Sequence, residues 1–161
     1  MISACQIAGA WLRRVARQPA NGIVYIALFL DLMDQRRLIK RFGQAYPEAH
    51  ADHLTLWHFQ DVRSLDLPSL PWGKKIPLKI IGYVMDDQAQ VVIVQAPAKF
   101  HPVGGRTPHI TISTAPGVNP VYANALIAKD WDTEEARRGF PTLAGRVGWY
   151  DGERARFDPP K

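Results

Sequence analysis

Apolar residues recur at helical spacing near the start of the chain, at Ile7, Ala8, Trp11, Leu12 and Val15 between Ala4 and Arg17. Arg13, Arg14 and Arg17 fall on the other side, so the pattern predicts a packing helix with a basic face, stopped by Pro19. Gly22 then opens the run Ile23 to Leu30, rich in β-branched and aromatic residues and apolar on both faces, as a central strand is. Asp31 or Asp34 can cap a following helix whose buried stripe is Leu38, Ile39 and Phe42, with Arg37, Lys40 and Arg41 forming a basic stripe and Gly43 suiting its C-terminal cap.

A second strand is expected from Asp52 to Gln60. Period two puts His53, Thr55, Trp57 and Phe59 on one face, and Leu54, Leu56 and His58 on the other. Asp61 to Lys75, with Pro68, Pro71 and Gly73, reads as a long connection that carries Trp72, Lys74 and Lys75. Leu78 to Met85 and Gln90 to Val94 form a hairpin across Asp86-Asp87-Gln88-Ala89. Lys99 to Thr107 is a flexible basic loop with Gly104, Gly105 and Arg106. It is either a plain turn or a set of backbone amides able to hold phosphate.

The next strand places His109, Thr111 and Ser113 on one face. Asn119-Pro120 starts a helix with Val121, Tyr122, Ala125 and Leu126 as its stripe, and Asp132 to Arg138 offers a further short helix. Gly145 to Phe157 is expected to be a hairpin turning at Asp151-Gly152, followed by a polar, proline-ended tail that frays. No linker interrupts this order. The expected organisation is a single domain over residues 1–161, with an N-terminal helical extension at 1–21 and a core at 22–150.

Composition narrows the classes. A chain of 161 residues, 47% hydrophobic and 22% charged, can bury a core without disulfide or metal staples. The one cysteine, Cys5, excludes an internal disulfide and a cysteine-rich zinc site, which fits a reducing compartment, with cytoplasm the default. A net charge of +5 favours phosphorylated partners without choosing among them. The apolar runs are too short for a membrane span, no signal peptide is apparent, and no obligate protein partner is implied.

The chemistry concentrates in two stretches of one shape, His53-Leu54-Thr55-Leu56 and His109-Ile110-Thr111-Ile112. In a strand each sends His and Thr to one side and its aliphatics to the other. Either copy alone is an ordinary alternating strand; two matched copies suggest half-domains that share a cleft. Two histidines across a phosphate can act as proton acceptor and donor near neutral pH, and two threonines can donate to the non-bridging oxygens. That set performs phosphodiester hydrolysis without a cofactor. His50, His53 and His58 could alternatively suggest a metal site, but no Cys joins them and no His-Glu-x-x-His helix is present, so no metal site is assigned. Cys5 has no identifiable base and makes a poor nucleophile.

The paired motifs resemble those of the 2H phosphoesterase superfamily, which includes RNA 2′,3′-cyclic phosphodiesterases, the cyclic phosphodiesterase domain of fungal tRNA ligase and phage enzymes that destroy cyclic-oligonucleotide signals. The early strand and helix, Tyr25 to Phe42, and the helix at Pro120 to Ala128 are also similar, so the likeness covers about residues 22 to 150. It implies a two-lobed α+β fold with pseudo-twofold symmetry, antiparallel sheets lining a central cleft and helices outside. It also implies catalytic roles for His53 and His109, phosphate contacts from Thr55 and Thr111, and no metal. The substrate expected is an RNA end or small nucleotide with a 2′,3′-cyclic phosphate, with Tyr25, Trp57, Trp72, Ser113 and Arg106 as candidate binding residues. Cleavage of 3′,5′-cyclic nucleotides or cyclic oligonucleotides, with Tyr25, Trp57 and Trp72 as stacking surfaces, is the second enzymatic reading. A noncatalytic RNA-binding module is the reading of another class.

Overall fold

The structure, a computed structural model, describes residues 22–129, 131–133 and 142–161. The helix expected over Ala4 to Arg17, with Cys5 in it, lies outside these residues, as do residues 134–138 of the segment after Asp132. The described chain is an α+β fold built on one eight-stranded antiparallel sheet.

β1 (Tyr25–Leu30) is buried at every position but its first, as a run apolar on both faces requires. Asp31 caps the helix α1 (Leu32–Phe42) by accepting from the Asp34 amide at 3.0 Å, and Gly43, at φ 74°, ends it by donating its N–H to Ile39. Asp34 has a different task. Its buried carboxylate accepts from the Ala144 amide at 2.8 Å and pins α1 to a strand 110 residues later. After β2 (Glu48–Ala49) comes β3 (His53–His58), which stops two residues short of expectation because Phe59 opens the short helix α2 (Phe59–Val62).

β4 (Lys75–Met85) and β5 (Ala89–Gln95) make the expected hairpin, with the Asp86 carboxylate accepting from the amides of Gln88 and Ala89. β6 (His109–Thr114) comes after the glycine-containing loop. Asn119 caps a 3₁₀ turn, Pro120–Tyr122, which leads into α3 (Ala123–Leu126). That tighter first turn shifts the phase of the helix, so Ala123, Leu126 and Ile127 are buried while Val121 and Ala125 face out, contrary to the predicted stripe. β7 (Leu143–Tyr150) and β8 (Ala155–Arg156) form the terminal hairpin, its turn closed by Asp151 accepting from the amides of Glu153 and Arg154. The start of the tail does not fray. Trp149 donates to the Asp158 carbonyl at 2.8 Å, and the Phe157 ring sits edge-on to Phe29 with the Arg146 guanidinium 4.8 Å above it.

The strand order is β2-β6-β5-β4-β7-β1-β3, with β8 on β7. β4 joins two halves: its first residues pair with β7 and the remainder with β5. The sheet curls until β3 and β6 lie against each other, and the chain entering β3 runs along β6, with the amides of His50 and Ala51 donating to Ile112 and Thr111 at 2.9 and 2.8 Å. Leu54, Leu56, Ile110 and Ile112 therefore meet in a single core with Ile26, Leu28, Val92 and α1's Leu38. The other face of β5, through Val91 and Ile93, packs on α3.

Backbones approach closely where β7 crosses β1. A Cβ on Gly145 would stand 2.5 Å from the Leu28 Cβ, inside a fully packed core. Gly145→Ala is accordingly expected to cost about 1–3 kcal/mol of stability, read as a lower urea midpoint with an unchanged slope.

Candidate active site

Each His-x-Thr strand carries a β-bulge at the same place. In β3, Thr55 pairs with Ala27 and Trp57 with Ile26, leaving Leu56 as the extra residue; in β6, Thr111 pairs with Val91 and Ser113 with Gln90, leaving Ile112 extra. A bulge places two successive residues opposite one and re-aims the side chains beyond it. Both motifs thus turn after their threonine. Up to that point His and Thr share the face opposite the core aliphatics; past it the parity reverses.

The reversal corrects three sequence expectations. Trp57 does not join His53 and Thr55: it pairs with Ile26 inside the core at 6% exposure. Ser113 is fully buried, donating to Gln90 Oε1 at 2.8 Å and accepting from the Tyr46 amide, so it is part of the scaffold. His58, expected opposite His53, instead pairs with Tyr25 and is sensitive to the charge of His53. Trp72 is occupied too. Its indole donates to the Leu67 carbonyl at 2.9 Å and packs against the core.

The four motif side chains remain half-exposed while their neighbours are buried. His53 Nδ1 is 2.7 Å from Asp52 Oδ1, and His109 Nδ1 is 2.9 Å from the Thr107 carbonyl oxygen. Among the described residues neither Nε2 has a partner, and neither do the hydroxyls of Thr55 and Thr111. Of the other histidines, His50 spends its Nε2 on Thr114 and His101 on the Ala96 carbonyl, while the His58 ring has no hydrogen-bond partner among the described residues. His53 and His109 are close enough for the charge of the first to act on the second. Two ε nitrogens and two hydroxyls are thereby left for a ligand.

Tyr25 lies flat against His53, ring centroids 5.0 Å apart, with Tyr150 stacked behind it and Phe29 tilted at 5.8 Å from the imidazole. Burial, helped by the charges of Asp52 and Tyr150, raises the Tyr25 pKa, so its phenol stays an O–H donor at neutral pH. Phe29 also lines a groove of about 620 Å³ with Lys75, Arg146 and Phe157. Arg106 is exposed on the loop before β6, beside a smaller hollow of about 290 Å³ that it shares with Gly104, Gly105 and Thr107, and its charge reaches His58. Among the described residues no three His, Cys, Asp or Glu side chains are grouped to hold a metal ion, and no helix is long and apolar enough to cross a membrane.

Burial lowers the pKa of His109, and the charge of His53 adds to that against the Thr107 carbonyl bond. Burial also lowers His58 and His50. The unfolded chain then binds more protons than the folded one below the ordinary histidine value of about 6.5, so stability rises with pH there and is lost as pH falls towards the depressed native values. The melting temperature is expected to fall between about pH 6.5 and 5, and His50→Gln to flatten that slope.

No family model matches the chain, and no curated protein matches it. Its fold is similar to the crystal structure of a fungal RNA kinase, with a TM-score of 0.51 at 13% identity over 91% of this chain. The chain spans about half, 49%, of that protein's length. At this identity the likeness is one of fold.

Proposed function

We propose that this protein is a metal-independent phosphodiesterase that opens a 2′,3′-cyclic phosphate at an RNA end or on a small nucleotide, with His53 and His109 as the proton-transfer pair. The observation that carries the reading is the matched bulged strands, which leave two imidazole Nε2 atoms and two hydroxyls without partners among the described residues, with His109 within reach of the charge of His53. One histidine takes a proton from water as it attacks phosphorus; the other protonates the departing ribose oxygen, leaving by family precedent a 2′-phosphomonoester. Thr55 and Thr111 donate to the non-bridging oxygens, where negative charge builds. The resemblance to the 2H phosphoesterases supports this assignment, and the similar fold of a protein named as an RNA kinase supports an RNA substrate.

Cleavage of cyclic oligonucleotides has less in its favour, since two of the three stacking rings it relied on, Trp57 and Trp72, pack with the core. Tyr25 alone of them faces His53. Product analysis on 2′,3′-cyclic AMP, 3′,5′-cyclic AMP and cyclic di- and trinucleotides separates the readings. Hydrolysis of the first to 2′-AMP is expected. Turnover confined to the cyclic oligonucleotides would favour the second reading, and binding without turnover of any would favour an RNA-binding module.

A further inference from the structure

The two histidines are not backed alike. His53 Nδ1 meets a carboxylate at 2.7 Å; His109 Nδ1 meets a neutral carbonyl at 2.9 Å. Both partners can only accept when Asp52 is ionised, so each ring carries its hydrogen on Nδ1 and leaves Nε2 without a partner among the described residues. The difference lies in what happens when a ring gains a second proton. On His53 the positive charge sits against Asp52; on His109 it has only a carbonyl dipole and partly desolvated surroundings.

From this geometry, and resting on the hydrolase reading above, we infer that Asp52 is a positioning residue that keeps the shared catalytic proton on His53, making His53 the general acid and His109 the general base. In the forward step His109 Nε2 removes a proton from water as the new oxygen–phosphorus bond forms. The bond from phosphorus to the ribose 3′ oxygen breaks, and its electron pair takes the proton from His53 Nε2. The step ends with His109 protonated and His53 neutral, and exchange with solvent resets the pair.

The remaining surroundings agree. Burial opposes ionisation of Asp52, yet the hydrogen bond and charge of His53 outweigh it, and the carboxyl is held below its usual range. His109 is displaced towards its neutral form, first by burial and then by the charge of His53. From β1 the Tyr25 phenol faces His53 as a neutral group, with the Tyr150 phenol behind it. From the segment entering β3, His50 is disfavoured as a cation by burial, despite Asp52 and Glu48 nearby. At the far end of β3, His58 is likewise held neutral, by burial and then by Arg106. Asp52 is therefore the anion bonded directly to His53, and His109 has no such partner among the described residues.

Two measurements test the assignment. The pH dependence of kcat/KM reports the acid and base of the free enzyme. Asp52→Asn keeps an acceptor for Nδ1 but removes the charge, so it should move the alkaline limb down by about one pH unit and leave the acid limb in place. Asp52→Ala should move the same limb and lower kcat further, because the ring also loses its tether. Movement of the acid limb alone would make His53 the base, and unmoved limbs in both variants would remove Asp52 from the mechanism; either result overturns the inference. The second measurement needs neither turnover nor a variant. Nitrogen-15 NMR of the unmodified full chain, followed as the pH is lowered through the histidine range, should show the second ring proton on His53 rather than on His109, whose single hydrogen stays on Nδ1. The reverse distribution overturns the inference even if the hydrolase reading stands, while the expected one without hydrolysis of any phosphodiester would fault that reading alone.

Discussion

Alanine at His53 or His109 should cut turnover by about a hundred- to ten-thousandfold, roughly 3–5 kcal/mol of barrier, while the circular dichroism spectrum and urea midpoint stay close to those of the parent. Each substitution removes one proton transfer from a half-exposed position, whereas the aliphatics that hold the strands, Leu54, Leu56, Ile110 and Ile112, are left intact. The double variant should be hardly worse than either single one, because acid and base act in the same step and losses within such a unit do not add. His101→Ala is the control. Its Nε2 is committed to the Ala96 carbonyl, and its loss should leave turnover unchanged. Near-normal turnover by His53→Ala would end the two-histidine account.

Valine at Thr55 or Thr111 should lower kcat by about a hundredfold, roughly 3 kcal/mol. The exchange nearly conserves volume and keeps β-branching in a strand, so folding is expected to be little affected. What it removes is a hydroxyl that, among the described residues, has no protein partner and so is free to meet a phosphate oxygen. Because that oxygen gains charge in the transition state, kcat should fall more than KM rises. A rise in KM with unchanged kcat would assign the hydroxyls to ground-state binding instead.

Most of the scaffold was legible from period and punctuation. Asp31 and Gly43 bracket α1 as capping chemistry requires, Asp86 and Asp151 close the expected hairpins, and the alternation in both motifs gives the correct face for His53, Thr55, His109 and Thr111. The misplacements within the two motif strands share one cause. Strict period two carried past Thr55 and Thr111 puts Trp57 and Ser113 on the wrong face and His58 opposite its actual one, because each strand inserts a residue just there. A bulge leaves little trace in the pattern when the inserted residue is itself apolar, as Leu56 and Ile112 are. The paired burial of Leu56-Trp57 and Ile112-Ser113 is set by the partner strands β1 and β5.

Asp52 was missed for a different reason. It stands one residue before β3, and a carboxylate next to a histidine in sequence points away from it in a regular strand. The chain is not regular there. Ala51 has a positive φ of 43°, where the chain leaves β6 for β3, and from that bend Asp52 reaches the ring of His53. An acidic residue beside a motif histidine was a visible signal, but its geometry came from a turn between two halves of the sheet. Trp72, in a proline-rich connection, was a candidate binding residue, and nothing in its local sequence shows that its indole donates to the Leu67 carbonyl.

The central claim is that two histidines perform phosphodiester hydrolysis without a cation. It is tested most directly by the turnover of the unmodified protein on the best substrate of the panel, after exhaustive treatment with EDTA and again after Mg²⁺, Mn²⁺ or Zn²⁺ is added back. A two-metal enzyme would need cations to generate hydroxide and stabilise the leaving oxygen. The account predicts full activity in EDTA, no gain on adding any of the three ions, and a bell-shaped pH profile whose limbs belong to the histidine pair. Activity lost on chelation and restored by one of those ions would contradict it.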